Sequence, residues 1–179
     1  MSKNSKNVLK MVYAAICLAL CMVLPIFTGH IPQIGSMLSP MHIPVLLCGF
    51  LCGPAWGAAV GFIAPLLRYA IFGMPPIMPT GIAMTFELLT YGFISGILYK
   101  KLGKSAASIY ISLICAMICG RVVWGVVRYA IAGIQGGNFT FAAFMAGAVT
   151  NAIPGIILHI ILIPILVIAL QRAKLILND

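Results

Sequence analysis

The sequence predicts an all-α integral membrane protein: one compact bundle of six transmembrane helices with both termini cytoplasmic. Three observations predict it. Of the 179 residues, 63% are hydrophobic and only 7% charged, whereas soluble domains run near 45–50% apolar and about 25% charged. The apolar residues fall into runs separated by Gly/Pro-rich breaks, and the basic residues collect at alternate breaks. A water-soluble enzyme or DNA-binding domain is thereby excluded. The net charge of +9, from 11 Lys/Arg against the two acids Glu87 and Asp179, belongs to the ends of apolar runs and reads as membrane orientation.

A single membrane domain, 1–179, is expected, with its elements in the following order. The first helix, 8–28, follows Lys3, Lys6 and Lys10. It has the charged start of a signal peptide but no small-x-small cleavage site, since Phe27-Thr28-Gly29-His30 is a poor substitute, so a retained helix is expected. Gly29 to Pro40 is rich in Pro, Gly and Ser. The second helix, 42–53, is short and ends at Gly53-Pro54, a strong break. The third, 54–72, leads into Gly73-Met74-Pro75-Pro76-Ile77-Met78-Pro79. The fourth, 81–99, is closed by Lys100, Lys101 and Lys104. The fifth, 106–132, precedes a turn around Gly136-Gly137-Asn138. The sixth, 141–171, carries Pro154 and Pro164 and should kink.

Counting charge fixes the orientation. With six spans, the termini and the turns near 53 and 100–104 share one side. That side holds Lys3, Lys6, Lys10, Lys100, Lys101, Lys104, Arg172 and Lys174, whereas the turns 29–41, 73–80 and 133–140 hold no Lys or Arg. Positive charge marks cytoplasmic segments, and the parity works only for an even number of spans.

The six cysteines form the pairs Cys17/Cys21, Cys48/Cys52 and Cys115/Cys119 at i,i+4 inside apolar runs. They lack the closer spacing and further ligands of a zinc site and read as small packing residues. Small residues also recur every four positions, at Ala15/Ala19, Gly53/Gly57/Gly61, Gly92/Gly96 and Gly147/Asn151/Gly155. Such ridges let helices approach closely in lipid. Ala15/Ala19, on the first helix, is the ridge most easily presented to a partner.

Arg68, Arg121, Arg128, Glu87 and His159 are the ionisable residues left inside spans, and intramembrane charge is a functional hypothesis by default. Arg121 and Arg128 share a face of the fifth helix with Trp124 and Gly125 between them; Tyr91 and Ser95 follow Glu87 at i+4 and i+8. If Glu87 pairs with one arginine, two cations are left, which an anion would complete; the planar guanidinium fork suits carboxylate or phosphate. The competing reading has the arginines bonded to backbone carbonyls at broken helix ends or snorkelling outward, with Arg68 paired to Glu87. Asn151 is a hydrogen-bonding candidate or a helix-packing residue. Asn138 and Tyr129 are rim candidates, His42 a mouth or capping residue, and His159 a packing residue. The expected substrate-binding set is therefore Arg128, Arg121, Trp124, Glu87, Tyr91, Asn151 and Arg68. No catalytic residue, metal or cofactor is expected. Gly103-Lys104-Ser105 has the tail of a phosphate-cradling loop, but Leu98 stands where its first glycine belongs and no strand precedes it.

The chain resembles the substrate-binding S component of energy-coupling factor (ECF) vitamin transporters. The resemblance is carried by Ser39-Pro40-Met41-His42-Ile43-Pro44-Val45 leading to Gly53-Pro54-Ala55-Trp56-Gly57. It is carried also by Phe86-Glu87-Leu88 with Tyr91-Gly92 and Gly96-Ile97-Leu98-Tyr99. It implies a vitamin-capturing subunit in the plasma membrane of a prokaryote, with ligand held near the outer surface between helices four to six under the loops after helices one, three and five. It implies too that Ala15 and Ala19 dock a transmembrane coupling subunit, that two ATPase subunits drive uptake, and that the S component topples in the membrane to carry its ligand inward. Among vitamins the sequence looks closest to pantothenate-type members; pyridoxine, lipoate, folate and riboflavin stay open. The rival classes are a small membrane enzyme acting on a lipid or polyprenyl phosphate, which lacks an acid/base pair beyond Glu87, and a stand-alone channel or carrier, for which no inverted repeat is present.

Overall fold

The computed structural model describes residues 3–28 and 37–178, all helices and turns, with no strand among them. Helix α1 is Lys3–Val23, continued by a 3-10 turn at Leu24–Thr28; α2 is His42–Cys52, α3 Pro54–Phe72 and α4 Ile82–Leu102. Helix α5 is Ala106–Ile134, α6 Phe141–Ala148 and α7 Ile153–Arg172. The stretch 29–36, central to the expected loop after the first helix, lies outside the described residues.

Five segments are long and apolar enough to cross a membrane: Asn4–Phe27, Pro54–Phe72, Ile77–Leu102, Ala106–Ile134 and Phe141–Arg172. The sixth expected span is α2. Its 11 residues rise only about 16 Å, against a hydrocarbon core roughly 30 Å thick. It is short because Gly53, at φ 97°, breaks the helix and Pro54 starts the next one. Instead of facing lipid, α2 is the centre of the bundle. All its residues except Leu47 are buried, as its all-round apolar sequence requires.

The central helices touch backbone to backbone. A methyl group added at Gly57 would stand 2.5 Å from the Gly92 carbonyl oxygen, and one at Gly96 would stand 2.6 Å from the Pro54 nitrogen. Only glycine permits that approach, so two of the four-residue ridges are the seam between α3 and α4. Helix α1 lies across this core with Ala14, Cys17 and Cys21 inward. Its thiols meet those of α2: Cys17 lies beside Cys48, Cys21 donates to the Met41 carbonyl and Cys52 to the Lys10 carbonyl, both at 3.6 Å. All six cysteines are free.

The long sixth segment is broken where the sequence reading placed a kink. Helix α6 ends at Ala148, a 3-10 turn covers Thr150–Ala152, and α7 begins at Ile153. Pro154 sits in the first turn of α7, where its missing N–H is harmless, so it opens a helix instead of bending one; Pro164 alone lies inside. At the basic end of the bundle, Gln171 donates to the Tyr99 hydroxyl and to the Lys104 carbonyl, and Asn178 donates to the Gly49 and Gly96 carbonyls. The end of α2, the start of α3, the end of α4, the start of α5 and the end of α7 therefore gather at one end, beside the first turns of α1.

Candidate functional site

Glu87 and Tyr91 are one turn apart on α4, and both are buried. Opposite them α5 presents Gly120, where an added methyl would collide with the Tyr91 ring. That missing side chain lets the next residue, Arg121, reach α4: its Nη1 lies 3.0 Å from Glu87 Oε1. Helix α2 brings His42, whose Nε2 is 3.5 Å from the same carboxylate oxygen. The His42 ring stands edge-on to Tyr91 at 5.2 Å and stacks with His159 of α7 at 5.9 Å. Three helices thus converge on one carboxylate that is 2% exposed, with α7 behind His42. An acid so buried needs a cation to stay ionised, and Arg121, with 17% of its side chain exposed, supplies it from the more open side.

Hydrogen bonding in this cluster is incomplete. His42 Nδ1, Arg121 Nε, Arg128 Nε and His159 Nε2 have no hydrogen-bond partner among the described residues. Buried polar atoms are nearly always satisfied, so this concentration marks polar capacity beyond what packing uses.

Arg128 lies two turns further along α5. Its guanidinium sits over Trp124 at 5.7 Å and over Phe139 at 5.6 Å. The Trp124 ring is edge-on to Phe139 at 6.0 Å and tilted against Phe144 at 6.3 Å. Gly147 of α6 leaves room for the indole, 2.7 Å from where a methyl would be. An aromatic box holds one cation by its ring faces, a contact worth about 0.5–2 kcal/mol. Arg128 has no ion pair among the described residues, since Glu87 is already engaged by Arg121.

Two expected site residues are placed elsewhere. Arg68 donates to the Met22 carbonyl at 2.8 Å and lies over Phe72 at 5.0 Å, facing α1. The rival pairing of Arg68 with Glu87 is taken by Arg121 instead, and Met22 O is one of the carbonyls freed where α1 gives way to its 3-10 turn. Asn151 is exposed on the 3-10 turn between α6 and α7; the break at Val149 takes it off the ridge formed by Gly147 and Gly155. Asn138 and Tyr129 are likewise exposed.

Sequence reasoning gave His42 and His159 minor parts and passed over Phe139 and Phe144. The signal for the phenylalanines was present, in Phe139-Thr140-Phe141 followed by Phe144 beside a tryptophan-bearing helix. Histidines five helices apart in sequence offer no such signal. No group of three metal-ligating side chains occurs among the described residues.

Residues 9–167 match the family described as the substrate-specific component of ECF transporters. The chain belongs to that family. No curated protein and no solved structure matches it. A substrate-specific component is a membrane transport subunit that binds a small molecule and works with an ECF module.

Proposed function

We propose that this component captures a small vitamin bearing a single negative charge, pantothenate by preference, from outside the cell and delivers it to an ATP-driven module. The observation that carries the reading is Arg128, held in an aromatic box with no acidic partner among the described residues. Glu87, Arg121 and Arg128 together carry one net positive charge, which suits one carboxylate. Arg121, already neutralised by Glu87, would act as a hydrogen-bond donor to the uncharged part of the ligand. Trp124, Phe139 and Tyr91 would line its apolar portion, with Asn151 and Arg68 in secondary, positioning parts.

The rings favour a second reading, in which a flat aromatic vitamin (pyridoxine, folate or riboflavin) stacks on Trp124; lipoate is the aliphatic anionic alternative. In the membrane, the basic end is read as cytoplasmic by the positive-inside rule, which puts the Arg128 box toward the outside. Six crossings would then require α2 together with its preceding segment to count as one. The exposed face of α1, with Ala15 and Ala19 between Val12, Ile16 and Leu20, would dock the coupling subunit, with two ATPase subunits behind it, in the plasma membrane of a prokaryote.

The test is calorimetric titration of the detergent-solubilised protein with pantothenate and the other named vitamins. Wild type should bind one of them tightly, and Arg128→Ala should weaken that binding by roughly tenfold or more, as expected for a lost charged hydrogen bond. Unchanged affinity in a folded Arg128→Ala protein would remove the anion site from this box.

A further inference from the structure

The unpartnered nitrogens have a second pole, away from the Arg128 box, and α7 builds it. Gly155 lies against the segment that enters α2: a methyl group added there would stand 2.5 Å from the Met37 carbonyl oxygen. That close approach lays the chain from Met37 to His42 on α7, where His159 follows Gly155 by one turn on the same face. The Ser39 carbonyl takes a hydrogen bond from the His159 ring, and Nε2 of that ring is left without a partner among the described residues. The His42 ring stacks on it at 5.9 Å with 25° between the planes. Nε2 of His42 faces Glu87 at 3.5 Å, and its Nδ1 is unpartnered among the described residues. Both histidines are buried.

Packing alone gives these nitrogens no use. Two phenyl rings would fill the same volume without leaving buried polar atoms unpaired, which costs stability. Nor does charge explain the pair, because Glu87 has its cation in Arg121 at 3.0 Å. The pair offers a place for one small polar group able to give or take a hydrogen, as a hydroxyl does. Arg121, on the same carboxylate, adds an unpartnered Nε. Arg121 and Arg128 lie two turns apart on α5, which sets the two poles about 10 Å from one another.

We infer, on the reading that the Arg128 box takes a single negative charge, that His42 and His159 hold a hydroxyl at the far end of the substrate. The substrate class is then an extended monoanion with a carboxylate at one end and a hydroxyl about 10 Å away. Pantothenate meets this description: its terminal hydroxyl is roughly eight bonds, or about 9 Å, from its carboxylate when extended. Lipoate has no hydroxyl to offer. A site built to bond a hydroxyl rejects an analogue without one, because its own polar atoms are then left unpaired.

The test is calorimetric titration of the detergent-solubilised full chain with pantothenate and with its dideoxy analogue, in which both hydroxyls are replaced by hydrogen. Wild type should prefer pantothenate by roughly tenfold or more. His159→Phe keeps a ring against His42 and removes the nitrogens. It should lose pantothenate affinity by a similar factor and hold the analogue as wild type does, so that the preference disappears. His159→Leu, smaller than the native ring, carries the same expectation if the phenyl ring is not accommodated. Arg128→Ala should weaken both compounds alike, since both carry the carboxylate. Equal affinity of wild type for the two compounds overturns the inference and leaves the Arg128 reading standing, as does a folded His159 variant that keeps the wild-type preference. Binding of neither compound overturns both.

Discussion

Two halves of this bundle solve the problem of close packing in lipid by opposite means. Between α3 and α4 the contact is glycine on backbone: Gly57 against Gly92, Gly61 against Leu88, Gly96 against Pro54. Between α5 and α6 it is ring on ring, with Trp124, Phe139 and Phe144 filling the space, and Ala148 is the one buried residue of α6. The first kind of contact has no side chain able to move, so it can exist in only one arrangement. The second is made of side chains that can rotate on an element with little buried surface. A binding component needs both: Glu87 and His42 are presented from the fixed half, while Arg128 is presented from the half that can rearrange around a guest.

The comparison breaks most visibly at the seam. Gly92→Leu should abolish a folded, monodisperse protein in detergent, because the intruding atoms meet the Gly57 carbonyl and not a flexible side chain; overpacking of even ordinary cores costs about 1–3 kcal/mol. The matching change in the other half, Gly147→Leu, meets the far edge of the Trp124 indole. The ring can swing away, so the folded protein should survive, with a fall in melting temperature no larger than a few degrees and a clear loss of vitamin affinity. Equal destabilisation by the two changes, read by thermal denaturation, would erase the distinction between the halves. Next in size is Glu87→Gln. It strips Arg121 of its counter-charge, and breaking a buried pair from one side costs about 3–5 kcal/mol. The double change Glu87→Gln/Arg121→Gln should recover part of that loss.

The same contrast explains what could be read from the sequence. The Gly53/Gly57/Gly61 and Gly92/Gly96 ridges were legible because a four-residue period of small residues has one physical use in lipid. The stripe of Arg121, Trp124 and Arg128 was legible because 3.6-residue periodicity puts all three on one face. Which arginine takes Glu87 was not legible: it depends on Gly120 lying against Tyr91, a contact between helices that no spacing along one helix encodes. The length of α2 was legible, but its central place in the bundle was not, for a related reason. An apolar run of 11 residues has the composition of a span, and only its burial on every side shows that it belongs to the core. The break in the sixth segment was expected at a proline, but Pro154 suits a helix start as well as it suits a bend, and the fold uses it as a start.

The smallest effect on binding, and the largest on assembly, is expected at α1. This helix divides its faces sharply: Ala14, Cys17 and Cys21 are buried against α2, whereas Val8, Met11, Val12, Ile16, Leu20 and Val23 are 39–55% exposed, with Ala15 and Ala19 exposed among them. Alanines on a lipid-facing surface gain nothing from lipid that leucine would not gain more, so their smallness makes sense only where another helix comes close. Ala15→Leu/Ala19→Leu should therefore leave melting temperature and vitamin affinity at wild-type values and abolish co-purification with a coupling subunit. The control lies on the same helix. Ile16→Leu changes shape without adding bulk and should leave co-purification intact. Should the alanine pair tolerate leucine with assembly unchanged, the exposed stripe of α1 is a lipid surface, and the docking face has to be sought on the loosely packed half instead.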